Sequence, residues 1–350
     1  MEMFRGLISF VLVLGVVVAV HEFGHLLAAK FFNVYCAEYA IGMGPLLFQV
    51  KGKETKYSLR LLPVGGYVAM AGESEQESSL FPDDLDPKRT ITGINPWKRI
   101  VVQLAGIFMN LVLGVIVFTL VFFMSGSPFE TSSKVVNIME NSPAESSGFE
   151  VGDIVTTMTV DSRVIEVNEF SDMALEEEDV SKERQYTVLR DGVEKEITVT
   201  PEWNEENNQY LVGVSFGAKS INIFESIVVG LRYTVSASLL IFSVLKDLFA
   251  GIGLENLSGP VGIYTATSQV AAQGLMSLVF FTGILSVNVG ILQLLPLPAL
   301  DGGRVVFSLW EAITGRPVNK KLETTLILVS FLLLFALIIF VTYKDILNLF

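Results

Sequence analysis

Charge and sulfur are both scarce in this chain. Only 17% of its 350 residues are charged, against about 25% in an ordinary soluble domain. So little charge cannot clothe a water-exposed surface, and 51% of the chain is hydrophobic, so composition points to a membrane protein. The single cysteine, Cys36, excludes an internal disulfide. It is left as a buried small hydrophobe or a metal ligand. There are only two histidines, His21 and His25, which excludes a metal site built on three imidazoles. Cations are also few, 24 Lys and Arg against 37 Asp and Glu. The long polar stretch is acidic, which excludes nucleic-acid binding.

What the chain has in abundance is uninterrupted apolar sequence. Runs at Leu7–Val20, Ile100–Met124, Leu275–Leu300 and Leu326–Val341 each hold or extend to the roughly 20 residues that cross hydrocarbon. Strands of a large α/β core rarely exceed about eight residues. No small-residue cleavage pattern follows the first run, which argues against a signal peptide. The expected fold is a polytopic α-helical membrane protein with four transmembrane helices, a membrane-associated β-hairpin and an inserted β-rich domain.

The expected boundaries follow from composition. The N-terminal half of the membrane domain covers 1–125: a span at about 4–32, the hairpin at about 42–72, a flexible polar loop within 73–97, and a span at about 98–124. The inserted domain covers 126–220. From Ser125 to Ser220 there are 20 acidic and 7 basic residues, a net of −13. Alternating stretches Lys134–Met139, Gln185–Arg190 and Lys195–Thr200, separated by turn signals such as Asp191-Gly192, predict strands there. The acidic run Glu176–Asp179 reads as a solvated face. Residues 221–276 form an interfacial helical region, since Ile223–Phe249 holds Glu225, Arg232, Lys246 and Asp247. The C-terminal half of the membrane domain covers 277–350, with spans at about 277–297 and 323–343.

Nine Lys and Arg fall between Lys30 and Arg99, and Arg304, Arg316, Lys320 and Lys321 follow the third span. Placing these loops inside puts both termini and the inserted domain outside. The hairpin, rich in glycine and alternating at Lys56–Leu61, either lines a cavity at membrane depth or is a plain cytoplasmic hairpin.

The chemistry concentrates in His21-Glu22-Phe23-Gly24-His25, an H-E-x-x-H motif. On a helix, residues four apart share a face. Two imidazoles can then grip one zinc ion, with Glu22 as general base. The motif follows 17 residues with one charge, Arg5, a length of about 25 Å as helix. It therefore falls near the inner edge of the hydrocarbon, where ionisable residues are costly and by default functional. A catalytic zinc takes three protein ligands and keeps one position open. The third ligand here must be a carboxylate or Cys36. Asp301, in Leu294-Leu295-Pro296-Leu297-Pro298-Ala299-Leu300-Asp301-Gly302, is the best candidate, with helix N-capping its other reading. Pro296 and Pro298 break the helix ahead of it. If Ile223–Phe249 does not cross, His21, His25 and Asp301 lie on the same side. Asn110, in the second span, either holds helices together or contacts substrate, and packing is the favoured reading.

These motifs together resemble the site-2 protease family of intramembrane zinc metalloproteases, in its bacterial RseP/RasP-like branch. The resemblance runs through the H-E-x-x-H motif, Gly42-Met43-Gly44-Pro45, Pro63-Val64-Gly65-Gly66-Tyr67, Ser258-Gly259-Pro260-Val261-Gly262 and Pro296 to Gly302. It implies one catalytic Zn2+ held by His21, His25 and Asp301. It implies a single PDZ domain in the insertion, around Asn141–Ala144 and Gly148–Asp153. It implies substrate contacts at Gly65, Gly66, Pro296, Pro298 and Gln293, the last standing where the family usually has Asn. The implied substrates are single-pass membrane proteins already trimmed by another protease, such as anti-sigma factors, or signal-peptide remnants. The implied location is the bacterial cytoplasmic membrane. Two alternatives are a membrane zincin acting on soluble peptides and a non-catalytic PDZ scaffold.

Overall fold

The structure, a computed structural model, describes residues 2–73, 80–175, 179–205, 209–253 and 257–347. In chain order, α1 (Glu2–Phe31), β1 (Cys36–Lys51), β2 (Lys56–Met70) and α2 (Pro96–Ser125) come first. Then follow β3 (Thr131–Ile138), α3 (Pro143–Ser146), β4 (Ile154–Val160), β5 (Arg163–Glu166), β6 (Arg184–Arg190), β7 (Val193–Val199), β8 (Glu202–Asn204), β9 (Gln209–Leu211) and β10 (Val214–Ala218). The chain closes with α4 (Ile223–Phe249), α5 (Pro260–Gln273), α6 (Leu275–Gln293), α7 (Asp301–Thr314) and α8 (Lys320–Leu347). Two compact units result, Met1–Thr119 with Gly230–Phe350, and Leu120–Val229.

Five described helices are long and apolar enough to cross a membrane: α1, α2, α4, α6 and α8. Their outer faces carry exposed leucine, isoleucine and phenylalanine, such as Leu332, Phe335 and Ile339 of α8. The chain is a multi-pass membrane protein with an inserted β domain. The helix ends follow local chemistry. Asn33 takes a left-handed φ of 61° just past α1, a conformation asparagine tolerates at helix C-termini. The side chain of Asn95 accepts the Trp97 N–H at 2.9 Å, and Pro96 opens α2 where no donor is needed. The region expected to be interfacial is two helices. The first, α4, has the length and apolarity of a span, and its Gly230 lies against Thr119 of α2. The second, α5, begins within the Ser258–Gly262 motif, where the buried Asp345 of α8 accepts the N–H groups of Gly259 and Gly262 at 2.9 and 2.8 Å.

The hairpin begins at Cys36, six residues before the expected start at 42, and it doubles back on itself. Residues 38–41 pair with 66–69 on one side and with 56–59 on the other, and 56–60 also pair with 46–51. Two long strands thus give four adjacent ribbons. The bends fall at Gly42, Gly44 and Gly65, all at positive φ, which only glycine adopts freely. One outer ribbon, Gly66–Met70, lies against α1. The expected flexible loop is in part firmly folded. Residues 74–79 lie outside the described residues, but Ile91 and Ile94 are buried with Leu26, Val34, Cys36 and Val102. Arg89 pairs with Glu54 at 2.5 Å, and Ile91 N–H bonds to Ala71 O at 2.7 Å.

The second unit contains the expected strands as β3, β6 and β7. Its sheet runs β10-β3-β4-β6-β7, with β5 pairing β4. The Asp191-Gly192 turn, both residues at positive φ, is the tight two-residue link that suits right-twisted strands. Val135, Phe149, Val155, Met158, Tyr186, Val188 and Val199 fill the core. Asp153 is wholly buried, bonds Arg190 at 2.7 Å and accepts the Glu150 N–H at 3.0 Å. Arg190 also donates to Gly148 O at 2.8 Å, so one buried ion pair fastens the Gly148–Asp153 turn. Of the acidic run, Glu176–Glu178 lie outside the described residues.

Candidate metal centre

The two histidines face the same way from α1, as four-residue spacing requires. Both are buried, at 6% and 7% exposure. The helix break at Pro296–Pro298 returns the chain so that Asp301 opens α7 directly opposite. Gln293 anchors the turn, its Oε1 accepting the Asp301 N–H at 3.3 Å. Two links hold α7 to α2: Arg99 to Glu311 at 2.8 Å and Ser308 to Gln103 at 2.9 Å. Asp301 Oδ2 is then 3.0 Å from His21 Nε2 and 3.1 Å from His25 Nε2. The two Nε2 atoms are 3.2 Å apart.

That triangle fits a tetrahedral ion. Ligand bonds of about 2.0–2.1 Å at tetrahedral angles place donor atoms about 3.3 Å apart. Two imidazole nitrogens and one carboxylate oxygen are also a donor set that zinc uses in catalytic sites. Asp301 does not cap α7; the residue ahead of the helix is Leu300. Cys36 is excluded as third ligand. It is buried in a different cluster, with its thiol near Val34 O, and burial pushes that thiol up to about 12.

The site opens into a cavity of about 840 Å³ lined by His21, Glu22, His25, Gly65, Gly66, Gln293, Asp301 and Arg304, among others. Glu22 stands beside the histidines on the cavity wall. A Cβ on Gly66 would lie 3.0 Å from Glu22 Cγ and 2.8 Å from Ala40 O, so only glycine lets this ribbon pass so close to α1. Arg304 forms an ion pair with Glu73 at the same cavity. Pro296 and Pro298 are not among the residues that line the cavity.

Several residues that build the site carry no motif. A Cβ on Gly106 of α2 would fall 2.4 Å from His25 Nε2 and 2.8 Å from His21 Cε1. Its missing side chain is the space the imidazoles occupy. His25 Nδ1 lies 2.8 Å from Val102 O. Asn110, wholly buried, brings its side-chain amide to 3.3 Å from His21 Nδ1. A packing reading alone misses that contact.

With this geometry in view, residues 9–337 match the model of Peptidase family M50. The chain belongs to this family, the site-2 proteases. As an M50 peptidase it is a zinc-dependent metalloprotease. It is similar to the regulator of sigma-W protease RasP of Bacillus subtilis, 30% identical over 420 aligned positions that cover 98% of each chain. A Clostridium acetobutylicum protein named "putative zinc metalloprotease" is 33% identical over 356 positions, again 98% of each. A Staphylococcus aureus protein with the same descriptive name is 31% identical over 428 positions, 97% of each.

Proposed function

We infer that this M50 peptidase cuts peptide bonds inside the membrane-spanning segments of single-pass proteins. In this reading His21, His25 and Asp301 hold the zinc ion and Glu22 is the general base. The observation that carries it is the triangle of donor atoms, 3.0 to 3.2 Å on a side, between α1 and the start of α7. The bound zinc supplies Lewis acidity, lowering the pKa of water toward 7 and polarising the scissile carbonyl. Glu22 accepts the proton released by the attacking water and returns it to the departing amine nitrogen. A helical substrate hides its peptide bonds, so it first unwinds and adds as a strand along the Gly65–Met70 ribbon, which lines the cavity. Gln293 and the turn at Pro296 and Pro298 flank the same strand.

The orientation that fits the basic loops puts both termini and the β domain outside a bacterial cytoplasmic membrane. Four helices then span, with α4 submerged in the outer leaflet. The β domain is a single PDZ domain that keeps bulky ectodomains away, so substrates arrive trimmed by another protease. The Bacillus subtilis relative is named a regulator of sigma-W protease. That name supports anti-sigma-factor-like proteins as substrates, alongside signal-peptide remnants. Co-expression with tagged single-pass proteins tests the assignment. Glu22→Gln is expected to keep one zinc per chain and to lose all cleavage. A Glu22→Gln enzyme that still cuts removes Glu22 from the mechanism.

A further inference from the structure

The Nε2 atoms of His21 and His25 both aim at Asp301 Oδ2. It is therefore Nε2 that offers a lone pair to an ion at this point. A neutral imidazole that binds through Nε2 carries its proton on Nδ1, and Nδ1 then needs an acceptor. For His25 the acceptor is Val102 O, at 2.8 Å, a main-chain atom that no substitution removes. For His21 the neighbour is Asn110, whose Nδ2 faces Nδ1 at 3.3 Å. Two donors would then face each other. Meanwhile Oδ1 of the same amide is buried without any hydrogen-bond partner. Leaving a buried acceptor unsatisfied is unfavourable.

The clash of donors has a simple remedy. The nitrogen and oxygen of a side-chain amide have nearly the same shape, and their assignment is a choice made on hydrogen bonding. Turning the amide by half a turn brings Oδ1 to His21 Nδ1–H and gives that oxygen a donor, while Nδ2 takes the place Oδ1 held. Nothing else in the described surroundings asks for the Nδ2 orientation. The Asn110 main-chain carbonyl is bound independently by Ser286 Oγ at 2.8 Å, and a Cβ added to Gly290 of α6 would lie 3.3 Å from the Asn110 Cβ. The backbone of α2 is thus pinned from α6, while the side chain is left for α1.

We propose that Asn110 is a positioning residue for the metal centre, accepting the Nδ1–H of His21 through Oδ1 and so fixing that imidazole in its ligating tautomer and orientation. The two histidines then have matched partners on one face of α2, Val102 O for one and the Asn110 amide for the other. The proposal rests on His21 being a ligand. It makes a carboxylate an acceptable replacement for the amide and an apolar side chain an unacceptable one. A role in packing alone gives the opposite order, because leucine is apolar there while aspartate buries a charge.

Full-length protein labelled with 15N-histidine carries only two imidazoles, so each tautomer can be read directly by NMR. Zinc affinity follows from chelator competition on the same samples. Zinc-loaded wild type is expected to show both rings protonated on Nδ1. Asn110→Leu is expected to weaken zinc binding about 10–100-fold, the usual effect of losing a partner behind a metal-bound histidine, and to disturb the His21 signal while sparing His25. Asn110→Asp is expected to hold zinc at least as tightly as wild type. The proposal is overturned if wild-type His21 lacks the Nδ1 proton, a result that needs no variant to fold. It is overturned equally if Asn110→Leu keeps wild-type zinc affinity, or if Asn110→Asp is as weak as Asn110→Leu. His21→Ala separates the two layers: undiminished zinc binding there sinks the ligand assignment itself, and Asn110's role with it.

Discussion

At the scale of single residues, the site depends as much on an absent side chain as on those present. Gly106 leaves the volume into which both imidazoles project, and one added methyl would stand 2.4 Å from His25 Nε2. Neither partner can retreat, because His25 is held to Val102 O and a Cβ on Gly24 of α1 would meet Ala105 O of α2 at 2.3 Å. Gly106→Ala is therefore expected to weaken zinc binding by at least about tenfold, at the lower end of what disturbed histidine partners cost. Metal content after dialysis against a weak chelator checks this. Retention of one zinc per chain would mean that the helices move apart easily at this point. Gly66→Val acts differently, since its Cβ alone would meet Ala40 O and Glu22 Cγ. The expected result is lost cleavage with zinc retained, read by comparing metal content with turnover of a tagged single-pass substrate.

At the scale of elements, the second unit turns on one buried pair. Arg190→Ala leaves the wholly buried Asp153 without its cation, an expected loss of about 3–5 kcal/mol. Hydrogen exchange of amides in β4 and β6 in the full-length protein measures it; protection equal to wild type refutes it. Burial raises the Asp153 pKa, but the hydrogen bonds from Arg190 and the Glu150 N–H outweigh it and hold the carboxyl below its ordinary value. The unfolded chain then binds more protons than the folded one, so stability rises with pH. The pair's contribution is complete above about pH 4, the ordinary aspartate value, and falls away as the solution is acidified below it. Loss of β-domain protection should therefore set in only below that point in wild type and be blunted in Arg190→Ala.

The elements also show which features a sequence discloses. Long apolar helices were legible because a bilayer demands length: α1, α2, α6 and α8 end within a few residues of the expected limits, while α4, expected to be interfacial, is also long and apolar enough to span. The hairpin's alternation was legible, but its fold-back was not, because the paired residues 38–41 and 56–59 obey no local period. The stretch around Ile91 and Ile94 looked like loop because its two anchoring isoleucines are isolated among polar neighbours. The metal triangle was legible through its motifs. Its supports were not: Asn110 lies 89 positions from His21, and nothing in an apolar helix marks one asparagine or one glycine as facing a histidine.

At the scale of the whole molecule, the β domain is inserted between α2 and α4, and its first and last strands, β3 and β10, pair with each other. Removing Thr131–Ala218 therefore excises an intact sheet where shorter deletions would strand β10. If the domain serves as a size filter, this variant is expected to cut full-length single-pass proteins that the complete enzyme spares. Immunoblots of substrates with and without their ectodomains read the result. A deletion enzyme that cuts trimmed substrates but still spares the full-length ones removes the filter.

The polar atoms that meet at the site are far apart in the chain: His25 and Asp301 are separated by 276 positions. A ribosome adding about 5–20 residues per second releases the histidines about 14–55 s before the aspartate. During that interval the newborn polypeptide has both histidines and no Asp301 to stand opposite them. On the proposed ligand set, the hydrolase lacks its third ligand until translation is nearly done.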